Sequence, residues 1–267
     1  MAFEQKLSVA RAAALAAGEV LMKYFGQGVT QRFKGGQTAD LVSEADVNAE
    51  QAVIRVIREN YPHDAILGEE SLTGTDPQSP QLWIIDPLDG TTNFLHDIPH
   101  FAVSLAYYEA GVPKIGVVWN PAMQDMFIAV AGQGATHNGQ PIHVTPDERL
   151  EQTLIGTGFY YDRGSMMEAT LGVLADLFRE NIHGVRRFGS AALDLCHVAK
   201  GYYGAYFEYF LSAWDFAAGR LIVEEAGGRV TTARGTPLPL AKSSILASNS
   251  RLHAVVEAIT ARHHERF

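Results

Sequence analysis

The 267-residue chain sets 21 lysines and arginines against 30 aspartates and glutamates, a formal net charge of −9, and is 47% hydrophobic. That apolar content can fill one large α+β domain over 1–267 or two closely packed halves, about 1–145 and 146–267, and no Pro/Gly/Ser linker separates independent modules. The acidic balance argues against a general nucleic-acid or membrane-surface role, because either needs a concentrated basic face.

In chain order, residues 3–25 set Glu4, Lys6, Arg11 and Glu19 among alanines, the pattern of a surface helix with one apolar face and no export segment. A second helix is expected over 44–60, then strands over 64–68 and 81–85. Strands follow at 101–109, 114–119 and 125–130, the last two joined through Asn120-Pro121, and Asn138-Gly139 is a hairpin-turn signal. Gly132-x-Gly134 is a weak match to phosphate loops and reads better as a hairpin, as does Gly227-Gly228. The second half alternates: a strand over 154–157, helices over 165–180 and 190–200, a strand over 205–209 and a helix over 215–226. Cys196 is the only cysteine. No internal disulfide is possible, a reducing and cytoplasmic setting fits, and the thiol sits in an amphipathic helix pattern as a core residue.

The chemistry concentrates where the apolar run Leu82 to Ile85 ends in Asp86-Pro87-Leu88-Asp89-Gly90-Thr91-Thr92-Asn93-Phe94. Pro87 fixes one φ angle and Gly90 permits a turn closed to other residues, so two carboxylates can converge on one point. Converging carboxylates repel unless a cation lies between them, and hard oxygen donors suit Mg²⁺, which completes its shell with water and phosphate. Two further segments share the design: Gly68-Glu69-Glu70 after another short apolar run, and Trp214-Asp215 opening a helix. The Asp86-x-x-Asp89 spacing is not the Asp-x-Asp of an aspartyl-phosphate enzyme, so both acids serve better as ligands and water is the expected nucleophile. His96 and His100 are four apart, but Pro99 disrupts a helix that would align them and no Glu follows His96, which argues against zinc there.

With these segments in this order, the chain resembles the inositol monophosphatase family of Mg²⁺-dependent, lithium-sensitive phosphatases. The likeness runs from Asp40-Leu41-Val42-Ser43-Glu44-Ala45-Asp46 to Glu224-Glu225-Ala226-Gly227-Gly228, and Lys34-Gly35-Gly36 resembles the family's mobile loop over the metal site. The resemblance implies a layered α-β-α-β-α sandwich and a homodimer. It also implies that Glu69, Asp86 and the Leu88 carbonyl hold a first Mg²⁺, that Asp86, Asp89 and Asp215 hold a second, and that a third lies near Glu69 and Glu70. Thr91, hydrogen-bonded to Asp46, would orient the attacking water, with Glu69 also in the catalytic set. The competing reading of Asp46, a favourable charge at a helix start, ranks behind the catalytic one because the Asp40 to Asp46 context matches the family.

Substrate contacts implied by the resemblance are Asp89, Gly90, Thr91, Asp215, the stretch Gly189-Ser190-Ala191, and Glu208 for ring hydroxyls of a small phosphorylated polyol. Glu208 has a competing reading as a strand-end surface charge. Tyr209-Phe210-Leu211-Ser212-Ala213 departs from relatives that carry Gly, Arg and Pro before the Trp-Asp, and aromatic residues there could narrow or flatten the pocket. The leading expectation is hydrolysis of myo-inositol monophosphate. Histidinol phosphate and fructose 1,6-bisphosphate are the nearest alternatives; Thr92-Asn93, where the nucleotide 3′-phosphatase branch tends to carry Lys, disfavours a nucleotide. A regulatory role with the transcription or RNA machinery is the reading from a different class.

Overall fold

The computed structural model describes residues 3–26, 31–33, 41–160 and 163–264. Helices α1 (Glu4–Tyr24) and α2 (Glu44–Asn60) precede strands β3 (Ala65–Gly68) and β4 (Gln81–Asp89), with β1 (Gln31–Phe33) and β2 (Leu41–Ser43) pairing as a small antiparallel ribbon. The short α3 (Thr91–Leu95) leads into a meander of β5 (Ala102–Glu109), β6 (Val112–Asn120), β7 (Asp125–Val130), β8 (Ala135–His137) and β9 (Gln140–Ile142). Together β3 to β9 form a seven-stranded sheet in sequence order, antiparallel except for the β3–β4 pair.

The remainder contains β10 (Leu154–Thr157), α4 (Ser165–Arg179), β11 (Gly184–Arg186), α5 (Ala191–Ala199), β12 (Ala205–Leu211), α6 (Ala213–Glu225), β13 (Arg229–Thr231), β14 (Ser243–Ser248) and α7 (His253–His264). Its five strands are ordered β11-β10-β12-β14-β13. Helices α1 and α2 cover one face of the larger sheet, α5 and α6 lie between the sheets, and α4 and α7 cover the outer face of the smaller sheet. The expected α-β-α-β-α layering is therefore present.

β4 shows why its sequence reads as an unbroken apolar run. Trp83 and Ile85 enter the core shared with α1 and α2, while Leu82 and Ile84 enter the one shared with α5 and α6. A strand buried on both faces has no position left for alternating polar residues. Its neighbour β5 sorts the same way, Val103, Leu105 and Tyr107 to one side and Ala102, Ala106 and Tyr108 to the other.

The short strands β1, β2, β11 and β13 were not anticipated, and two further segments depart from expectation. Strand β14 and helix α7 close the smaller sheet and its outer layer but were not anticipated, because the Thr232–Lys242 stretch before them is rich in proline and turn residues and masked the periodicity. Gly227-Gly228 is a helix stop and not a hairpin: Gly227 has φ +89°, Gly227 N–H donates to Glu224 O and Gly228 N–H to Val223 O, which closes α6. Gly132 and Gly134 do shape the β7–β8 hairpin, and their amides hold the Glu225 carboxylate, each at 2.8 Å. Cys196 is fully buried on α5, and burial pushes its thiol well up. Lys34-Gly35-Gly36 and Asp40 lie outside the described residues.

Candidate active site

The site is built where β4 stops being a regular strand. Pro87 has no amide to give the ladder, and the β4–β5 register slips between Asp86, opposite Ser104, and Asp89, opposite Ala102. Asp86 Oδ1 accepts from Leu88 N–H at 3.0 Å, which fixes the bulged backbone. Gly90 then turns with φ +97°, and a Cβ there would lie 3.1 Å from the His100 carbonyl oxygen, so both the conformation and the space call for glycine. α3 follows, and Thr91 Oγ1 donates to Leu88 O at 3.1 Å, a different partner from the Asp46 carboxylate expected for that hydroxyl.

Helix termini deliver the next acids. Asp89 is gripped by the start of α5: the Ser190 hydroxyl and the Ala192 amide (2.8 Å) donate to Oδ2, and the Ala191 amide (3.2 Å) donates to Oδ1. Burial pushes the Asp89 carboxyl up to about 6, against the pull of those hydrogen bonds. Asp215 stands in the first turn of α6, and its Oδ2 accepts from Ser212 N–H at 2.6 Å in a reciprocal cap with the Ser212 side chain. Burial, with the charges of Glu69 and Asp89 added, holds Asp215 well above the carboxylate range, and Asp86 is raised by burial and then by Glu69, Asp89, Asp215 and Asp46.

Glu69 follows β3. Its carboxylate lies with those of Asp46, in the first turn of α2, and Glu70 in a group whose ligand atoms are all within 4.8 Å of one another. The turn is held by Glu50, which sequence reasoning passed over: fully buried on α2, it accepts from Glu70 N–H at 3.0 Å and from the Ser71 hydroxyl. A buried glutamate among Ala45, Ala49 and Val53 was the available signal, since a charge on an apolar helix face needs a partner.

Asp86, Asp89, Asp215, Glu69, Leu88, Gly90, Thr91, Gly189, Ser190, Ala191 and Glu208 all line one cavity of about 700 Å³; Asp46 is not in its lining but groups with Glu69 and Glu70. Ser190 and Ala191 spend the polar groups named above on Asp89 as they line it. Glu208, on β12, is only 7% exposed, which excludes the surface-charge reading. Its carboxylate accepts from Tyr206 Oη at 2.6 Å, and burial drives it up to about 7. Gly158 makes room for it, since a Cβ at that position would collide with the carboxylate. Arg187, Asp194 and Lys242 also line the cavity and were not anticipated. Only the Arg186-Arg187 pair just before Gly189 offered a hint. Asn93 ties the two sides together, its Nδ2 donating to His100 O and Phe188 O, both at 2.7 Å.

The inositol monophosphatase family pattern matches residues 3–265. The chain belongs to the inositol monophosphatase family. It is 42% identical to the inositol-1-monophosphatase of Synechocystis over 92% of this chain and 85% of that protein. It is 40% identical to the Nus factor SuhB of Pseudomonas aeruginosa over 92% of each chain. The solved extragenic suppressor protein suhB of Bartonella henselae superposes with a TM-score of 0.89 at 38% identity, covering 96% of this chain and 98% of that one. Membership supports a phosphatase, and the acidic groups supply donors for the metals such enzymes use. Among the described residues no helix is long and apolar enough to cross a membrane.

Proposed function

We propose that this family member hydrolyses myo-inositol monophosphate to myo-inositol and phosphate with Mg²⁺. The observation that carries the reading is the convergence of Asp86, Asp89, Asp215 and Glu69 on one cavity that also contains the buried acceptor Glu208. The donor set fits the ion: carboxylate oxygens and one peptide carbonyl, with carboxylates whose mutual repulsion a bound cation would relieve. Glu69, Asp86, Leu88 O, Asp89 and Asp215 would hold two ions, and Glu70 with Asp46 and Glu69 a third. Bound there, Mg²⁺ supplies an activated water and neutralises phosphate charge.

The chain's own residues do the positioning. α5 amides and Ser190 fix Asp89, the Ser212 amide fixes Asp215, and Glu50 fixes the Glu69-Glu70 turn. Glu208, across the cavity, accepts hydrogen bonds from the hydroxyls of the leaving polyol. The test is phosphate release with Mg²⁺ from inositol 1-phosphate, histidinol phosphate and fructose 1,6-bisphosphate at equal concentration, with a chelator control. Preference for the first supports the reading, preference for another reassigns the pocket, and no release rejects it. Glu208→Gln, which loses a charged hydrogen-bond acceptor, should lower kcat/KM for the polyol phosphate roughly 10–100-fold. Hydrolysis of p-nitrophenyl phosphate, whose leaving group has no hydroxyls to bind, should change little, and an equal loss on both substrates would remove Glu208 from polyol recognition.

The acids also set a pH dependence. Groups raised in the folded state bind protons there that the unfolded chain has already released, so they add stability at low pH and lose it as pH rises through the raised value. Buried His100, His197 and His253, each lowered to about 4 from 6.5, act oppositely but only below pH 6.5. The chelated protein should therefore lose thermal stability from pH 6.5 upward as Glu208 and the raised Asp86, Asp89 and Asp215 ionise, and excess Mg²⁺ should flatten that decline. A melting series in both conditions checks this, and identical slopes would contradict it.

A second reading is favoured by the relatives named Nus factor SuhB, in Pseudomonas aeruginosa and Escherichia coli among others: binding to transcription machinery besides hydrolysis. Co-purification that survives Asp89→Asn would show binding independent of turnover.

A further inference from the structure

We propose that His100, Asp194 and His197 form a second metal centre, with donors separate from the Glu69, Asp86, Asp89 and Asp215 set although Asp194 also lines that cavity, and suited to a zinc-type divalent transition metal. One ligand atom from each lies within 4.8 Å of the others. Asp194 and His197 stand three apart on α5 and so share a helix face, while His100 arrives from the segment before β5. Sequence spacing argued against a His96–His100 pair, and the fold agrees in leaving His96 exposed while giving His100 other partners.

The two imidazoles are what differ from the donors around Asp86. They are borderline nitrogen ligands that favour Zn²⁺ over Mg²⁺ in a set completed by one hard carboxylate, and three protein ligands leave a coordination position for water or for the Tyr203 hydroxyl. His100 Nε2 is enclosed and has no hydrogen-bond partner. Asp194 is 1% exposed, and its hydrogen bond from Tyr203 Oη is long at 3.3 Å; the same hydroxyl lies 3.2 Å from His197 Nδ1. A buried carboxylate facing two histidines this loosely bonded is a costly arrangement unless a cation joins them. Burial also keeps both imidazoles neutral near pH 7, with the lone pair a metal needs. The two histidines are only partly buried, and Phe188, which packs against both rings, is itself 43% exposed.

Such an ion would have a structural effect on catalysis. It would pin α5 to the segment before β5, and the first residues of α5 are the ones that grip Asp89. The class of ligand is therefore a tightly held transition-metal ion that supports the Asp89 clamp without entering the reaction.

The experiment uses Co²⁺ as a spectroscopic probe, titrated into chelator-treated full-length protein in saturating Mg²⁺. One equivalent should bind with the visible absorption of a four- or five-coordinate ion, and X-ray absorption should show two imidazole nitrogens on the cobalt. His100→Gln and His197→Phe should each lose that absorption while keeping the wild-type circular dichroism spectrum, and Asp86→Asn should keep it. Zn²⁺ should raise the melting temperature of the wild type and of neither histidine variant. Absence of the band in folded wild type, a band that persists in His100→Gln, or cobalt without nitrogen neighbours would each overturn the proposal. Because the X-ray measurement is made on the wild type, it stands even if a variant fails to fold.

Discussion

Asp86→Asn is expected to cut phosphate release on the order of 1,000-fold or more, the scale of losing a preorganised charge-stabilising contact at a reaction centre. An amide cannot bridge two cations, and its NH₂ would present donors where the site needs acceptors. The same change should raise the melting temperature of the chelated protein at neutral pH. Asp86 is fully buried, and Glu69, Asp89, Asp215 and Asp46 all disfavour its charge, so the neutral side chain removes repulsion from the metal-free fold. The opposite signs separate function from structure. Wild-type turnover in the variant would sink the metal assignment, and a lower melting temperature in chelator would show that Asp86 serves the fold.

Gly116→Ala should destabilise the protein by about 2–3 kcal/mol, the usual cost of forcing a methyl group into a packed interior. For a chain of this size that is roughly a 5–10 °C fall in melting temperature. Gly116 lies on β6 where α6 crosses it, and a Cβ there would come 2.6 Å from the Ala218 carbonyl oxygen, a backbone atom that can move only if the helix does. Ala218 is three residues beyond Asp215, so a shift of α6 also displaces a proposed metal ligand, and the Mg²⁺ concentration for half-maximal activity should rise. Gly74→Ala, where no atom lies within 4 Å of the added Cβ, should stay within about 0.5 kcal/mol of wild type. Equal melting temperatures for the two variants would show that the β6–α6 approach is not rigid.

How far the chain could be read differs from residue to residue. Asp86, Asp89, Glu69 and Asp215 were legible because each follows a local signal: a buried strand that ends in acids, or a helix that starts on one. The turn at Gly90 was legible for the same reason, since Gly acts on the backbone where it stands, whereas the strand expected to end at residue 85 runs on through a bulge to Asp89. Glu208 was ambiguous in the sequence, because a strand end can face either solvent or core. It took the packing of β12 beneath Gly158 to bury it. Arg187, Glu50 and Asp194 carried no motif, and their places depend on which element arrives opposite them.

By itself, the sequence determined the strand and helix pattern over most of the described chain, the family, and the acid set, because these follow from periodicity and from short segments whose spacing is fixed along the backbone. Only the tertiary structure decided that α5 reaches Asp89 from about a hundred residues away, that Gly116 must be small, and that His100 meets Asp194 and His197 instead of His96. Contacts of that kind arise when both faces of a sheet are covered by helices from distant parts of the chain, and nothing in the local sequence of either partner encodes the other.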